Sequence, residues 1–230
     1  MIPVRWDTGR VMIPSTTPPR HGAKTPGSRA AKAAERRDAI VAAALAEFSE
    51  KGFAAARLDD VAKRAGVAKG TIYLHFADKR ALFEGIVHLI IGPALAQLET
   101  GHRRDRESMR SYLERIMLPI ALSLGTSPRR DVVRLLIAEG ARFPEVAEIY
   151  YREVVERAMA LVRELARSAR ETGEIGDDTL ARFPQLLIAP ALVGTVWSSL
   201  FERFQPLDIE ALFRAQLDLL FGPPTRVSPA

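Results

Sequence analysis

Cysteine is absent from the 230 residues. That excludes disulfide bracing, Cys-ligated zinc and thiol catalysis, and it fits a reducing cytoplasm. Aromatic residues are scarce, at 7%, and no stretch of useful length alternates apolar and polar residues as a half-buried strand would. No uninterrupted apolar run reaches the roughly 18 residues that a bilayer crossing needs. The N-terminus has no continuous apolar core of a secretory signal. The expectation is a cytoplasmic chain without a membrane partner. The four histidines, His21, His75, His88 and His102, are scattered. No HExxH, phosphate loop, dinucleotide glycine pattern or nucleophile elbow occurs. No catalytic residue, metal site or cofactor is therefore expected.

What is present is helical. Hydrophobic residues make up 47% of the chain, enough for a sizeable core, and Ala and Leu recur at helical spacing. The fold expected is all-α. Ile40, Val41, Ala44, Leu45 and Phe48 form one apolar face of a first helix, placed over 31–51 with Gly52 as its stop. Short helices follow over 59–65, ended by Gly66, and over 69–75. Asp78 caps a fourth over 79–98, where Gly92-Pro93 predicts a kink. Further helices are placed over 105–124, 129–139, 144–172, 178–203 and 208–221.

Charge is unevenly distributed. The net charge is +5 and the isoelectric point about 9.8. Residues 1–37 hold eight basic groups against two acidic ones, leaving the rest of the chain close to neutral. Pro3, Pro14, Pro18, Pro19 and Pro26 keep this cationic segment from burying a core. Such an arm suits a polyanion, either nucleic acid or an anionic membrane, or else serves as a solubilising tail.

The informative stretch is LDDVAKRAGVAKGTIYLHFADKRALF, residues 58–83. Val61, Ala62 and Ala65 face the first helix. Gly66 permits a tight turn and Val67 pins it. The next helix presents Lys69, Thr71, Tyr73 and His75 outward over an inner face of Ile72 and Phe76. A short exposed helix with polar tips and a cationic N-terminal end suits the major groove of DNA.

The run GVAKGTIYLHFADKRALF resembles the signature of TetR/AcrR-type regulators. It matches in the turn glycine, the Lys-Gly-Thr opening, the Tyr-x-His-Phe close and the lysine that starts the next helix. The resemblance covers about residues 36–87, and RLLIAEGARFPEVAEIYYREV resembles one C-terminal variety of the family. It implies contacts to double-stranded DNA from Lys69, Gly70, Thr71, Tyr73 and His75. Tyr73 and His75 either read bases or only position the helix. Lys79 is placed on backbone phosphate, as are Arg36 and Arg37 at the start of the first helix. Where the family usually carries Thr or Ser ahead of the second helix, this chain has Ala56 and Arg57. A hydroxyl cap, worth about 1 kcal/mol, is lost. Asp59 is the expected substitute cap, and Arg57 is either a phosphate ligand or a solvated side chain.

The resemblance also implies an organisation. A basic arm over 1–30 precedes a three-helix helix-turn-helix domain over 31–85. A larger helical ligand-binding and dimerisation domain over 86–222 follows, then a short tail over 223–230. A homodimer would form through the last two long helices, whose apolar stripes favour such an interface although an ordinary internal core would also produce them. A small-molecule effector would contact Met117, Phe143, Tyr150, Trp197 and Phe201. The function expected is a repressor released from a palindromic operator by its effector. An activator of the same fold and a non-specific DNA-coating protein are the alternatives.

Overall fold

The computed structural model describes residues 26–126 and 128–222. The basic groups Arg5, Arg10, Arg20 and Lys24 and the tail lie outside them. The regular elements among the described residues are helices, with no strand among them: α1 (Pro26–Ala55), α2 (Leu58–Ala65), α3 (Lys69–His75), α4 (Lys79–Ile86), α5 (Gly92–Thr100), α6 (Met109–Thr126), α7 (Pro128–Glu139), α8 (Pro144–Tyr150), α9 (Glu156–Glu171), α10 (Thr179–Arg182), α11 (Gln185–Leu200) and α12 (Ile209–Phe221). Residues 26–35 belong to a unit of their own, helical from Pro26 and exposed from Ala30 to Glu35. The helix thus starts earlier than the expected 31, with a proline in its first turn, where a missing N–H costs nothing. The description below concerns the unit from Arg36.

Two apolar cores organise this unit. The first joins Ile40, Val41, Ala44 and Phe48 of α1 to Val61, Ile72, Phe76, Leu82, Phe83 and Ile86. It does not stop at residue 85, because Val132 and Leu135 of α7 and Val146 and Ile149 of α8 are part of it. The second joins Met109, Leu113 and Met117 of α6 to Val162, Leu187, Phe213 and Leu217.

Several elements depart from the bounds the sequence pattern suggests, each for a local reason. Gly52 sits at φ 76°, breaking the regularity of α1 where expected. A Cβ there would come within 2.9 Å of Glu139 Oε1. The helix expected from 105 begins at Met109, because Arg106 takes φ 61° and Glu107 accepts the Arg104 N–H (2.8 Å). The helix expected over 178–203 is divided at Phe183-Pro184.

The expected kink takes the form of a π-turn, Val87–Ile91, between α4 and α5. Pro93 has no N–H to offer and its ring crowds the carbonyl of residue 89, so the ladder widens there. The Gly92 N–H reaches back to Val87 O, and Arg129 Nε donates to the Ile90 carbonyl (3.1 Å). A second π-turn, Tyr151–Val155, joins α8 to α9. The two turns meet where His88 Nε2 lies 2.9 Å from Glu153 Oε2. The α4–α5 run, Lys79–Thr100, has the length and hydropathy of a membrane-spanning segment. Its apolar residues Leu82, Phe83, Ile86, Val87, Ile91 and Leu95 are buried within the protein.

Candidate nucleic-acid interface and effector cavity

The reading head is built on α2 and α3. Gly66 ends α2 in the left-handed conformation (φ 66°), which glycine adopts at little cost. The N–H groups of Gly66 and Val67 then return to Lys63 O and Ala62 O (3.2 and 3.0 Å). This turn sends α3 across α2 with Ile72 fully buried and Tyr73 half exposed. Charge pairs fix α2 to α1. Buried Glu47 receives Lys51 (2.6 Å) and Arg64 (3.3 Å), Arg64 Nη1 donates to Glu50 (2.7 Å), and Lys51 reaches Asp60 (3.1 Å). Removing a partner from a buried charge is costly, so this network resists shear between the helices.

The expected contact residues fall into three groups. Arg57, Lys69, Tyr73 and Lys79, with Arg80, line one open groove of about 840 Å³. Arg57 is exposed and makes no side-chain cap. Thr71 and His75 are partly exposed, and exposed Gly70 would meet nothing within 4 Å if it bore a Cβ. Arg36 is exposed, and Arg37 lies 5.3 Å over the Phe76 ring, so α1 delivers it to the end of α3.

Three details differ from expectation. Asp59 does not cap α2. It sits inside the first turn, and its carboxylate takes the Lys69 ammonium instead (2.8 Å). That pairing raises the pKa of Lys69. Lys79 donates to the Phe53 and Ala54 carbonyls (2.9 and 2.8 Å) and stands 5.2 Å over the Phe53 ring. It closes the end of α1 with two of its three N–H donors. Leu74, which the sequence reading passed over, is 83% exposed on α3. Its position two residues from each of the inward-facing Ile72 and Phe76 was the signal that could have found it.

A second feature lies between the two cores. A cavity of about 240 Å³ is walled by apolar side chains of α5, α6, α9 and α11. Of the five expected effector contacts, Met117 and Tyr150 line it. Phe143 does not; it packs on Phe53 (5.3 Å) in the first core. Trp197 and Phe201 also lie elsewhere, with rings 5.1 Å apart, and Trp197 Nε1 donates to Gln205 O (2.6 Å). Ile91, Tyr150 and Val154 both line the cavity and belong to or pack on the first core.

Elsewhere, Glu84, His88 and Glu153 bring potential ligand atoms within 4.8 Å of one another. Arg152 engages both carboxylates (2.8 and 2.7 Å).

Comparison with known proteins agrees with this arrangement. Residues 40–86 match the family described as bacterial regulatory proteins, tetR family, and residues 103–215 match the tetracyclin repressor-like C-terminal domain. The HTH-type transcriptional repressor BepR of Brucella suis biovar 1 (strain 1330) is 31% identical over 163 residues, covering 69% of this chain and 78% of BepR. The chain belongs to the TetR family. As a TetR-type chain it is a helix-turn-helix transcriptional regulator, in a family that binds DNA and small-molecule effectors and acts as dimers. Among solved structures, Salmonella enterica GusR superposes with a TM-score of 0.66 at 26% identity, covering 81% of this chain and 95% of GusR. The SmeT–triclosan complex gives a TM-score of 0.69 at 22% identity, covering 80% and 89%. At that identity SmeT shares the fold alone.

Proposed function

We propose that this regulator is a cytoplasmic repressor that binds a palindromic operator as a homodimer and leaves it when a small molecule fills the cavity between its two cores. The observation that carries the reading is the two-faced α3: Ile72 is locked in the core while Lys69, Tyr73 and Leu74 project outward. Lys69, Arg57 and Arg36 supply phosphate contacts that set register. Thr71, Tyr73, His75 and Leu74 are the groups positioned for base edges.

One short helix reads few base pairs, so two copies are needed about one helical turn, or a multiple, apart. The face offered to a second copy is on α11 and α12, where Val193, Val196, Leu200 and Leu219 are large, apolar and exposed. The small residue Gly194 serves packing within the chain: a Cβ there would come within 2.9 Å of Ile209. Ligand in the cavity would press on Ile91, Tyr150 and Val154, which also touch the reading head's core. That shared contact supplies the coupling, typically about 1–3 kcal/mol.

The test is competition binding with duplexes captured from fragmented genomic DNA by the purified full chain. Preference for captured inverted repeats over random duplex by about a thousandfold or more is expected. Equal affinity for both would instead favour non-specific DNA coating.

A further inference from the structure

The cavity also constrains what can fill it. A hole of roughly 150 Å³ suits benzene, so about 240 Å³ accommodates a molecule of about ten heavy atoms. Its walls are almost wholly aliphatic: Leu95, Leu98, Met117, Met159 and Ile188 are representative. Among the described residues no acidic side chain lines it, and its one guanidinium, Arg129, is engaged with Ile90 O and Ser123 Oγ (3.1 and 2.6 Å). Tyr150 is, with Arg129 and Gln185, one of the polar side chains on the walls. Its ring is largely enclosed, and no hydrogen bond of its hydroxyl is found among the described residues. Burial pushes its pKa up to about 12, so it remains a neutral donor across the physiological range. A ligand oxygen would accept from this hydroxyl in an apolar setting, where such a bond is strongest.

Resting on the effector reading above, we infer that this regulator responds to neutral, compact, mainly apolar molecules bearing one hydrogen-bond acceptor, and that Tyr150 donates to that acceptor. Carboxylates of the same size are rejected, because the aliphatic walls cannot solvate a charge. Hydrocarbons of the same size enter but leave Tyr150 unmatched. Tyr150 is a specificity residue that also touches the first core, so the bond that selects the ligand forms at a wall shared with the reading head.

The test uses three matched probes, propiophenone, propylbenzene and phenylacetate, titrated calorimetrically at pH 7.5 into full-length protein and its Tyr150→Phe variant. Propiophenone is expected to bind wild type more tightly than propylbenzene, and phenylacetate at least about tenfold more weakly than propiophenone. Tyr150→Phe should weaken propiophenone about three- to tenfold and leave propylbenzene within about twofold. Thermal unfolding of the variant verifies its fold; Phe keeps the ring, so an unchanged or higher midpoint is expected. If phenylacetate binds best, or the variant leaves the ketone-to-hydrocarbon ratio unchanged, the ligand class is wrong while the cavity stands as a ligand site. If none of the three binds wild type, the effector-cavity reading falls together with the class.

Discussion

Lys69 Nζ lies 2.8 Å from Asp59 Oδ2, so the cation that opens the reading helix is held by an acid from the helix before it. A DNA phosphate must compete with Asp59 for that ammonium, and Asp59 also sets a negative charge beside the groove containing Arg57 and Lys79. Asp59→Asn should tighten operator binding about three- to tenfold at low salt and steepen its salt dependence, as one more phosphate is neutralised. Fluorescence anisotropy across a salt series measures both. Weaker binding by the variant would mean that Asp59 orients Lys69 toward DNA.

Leu74 is an apolar side chain held in water beside Tyr73. On a duplex an apolar side chain placed there meets a thymine methyl group. Leu74→Ala should leave thermal stability within about 0.5 kcal/mol and weaken operator binding by about 1 kcal/mol. The loss should concentrate at one A·T position of each half-site. Binding to a panel of single-base operator variants locates that position, and a uniform loss over all positions would contradict base contact.

Outside the reading head, Glu107 contributes to acid stability. Arg115 forks onto Glu107 (2.8 and 2.7 Å), and with the Arg104 N–H this holds the Glu107 carboxyl down at about 2. A depressed carboxyl stabilises the fold above its unfolded value near 4.5 and loses that contribution as pH falls toward 2. Allowing for screening near the surface, the contribution is about 1–2 kcal/mol. Glu107→Gln should lower stability by that amount at pH 7, and the gap to wild type should close between about pH 4.5 and 2. Urea denaturation across pH reads it directly.

Pro93 widens the helix into the turn whose last residue, Ile91, lines the cavity and belongs to the first core. Pro93→Ala restores an N–H and lets the helix regularise. The ratio of operator affinities with and without the most potent probe described above should shrink in this variant. An unchanged ratio would show that coupling bypasses the turn.

How much of this was visible in the chain differs by region. Residues 58–83 carried their own punctuation: Gly66 for the turn, Asp78 for the cap (its carboxylate accepts the Ala81 N–H at 2.7 Å) and an inward Ile72–Phe76 pair. Local chemistry determines those elements, so they were readable. The cavity was not, because whether an aromatic residue lines a void or fills a core depends on which helices meet. Phe143 and Tyr150 stand at opposite ends of α8, yet only Tyr150 faces the void. The role of Asp59 was missed for the same reason: its partner Lys69 comes from the next helix, and capping rules consider only the chain nearby. The two π-turns were legible only as a kink at Pro93 in one case and not at all in the other.

The most direct test of the reading helix is a full-length Lys69→Ala, Tyr73→Ala double variant, compared with wild type by anisotropy on the captured inverted repeat. Both side chains are substantially exposed, so the unfolding temperature and the dimer mass should not change. Operator affinity should fall by about a hundredfold, as expected when one phosphate and one base contact are lost from each half-site. Affinity within about threefold of wild type would contradict the assignment of α3 as the element that docks in the groove.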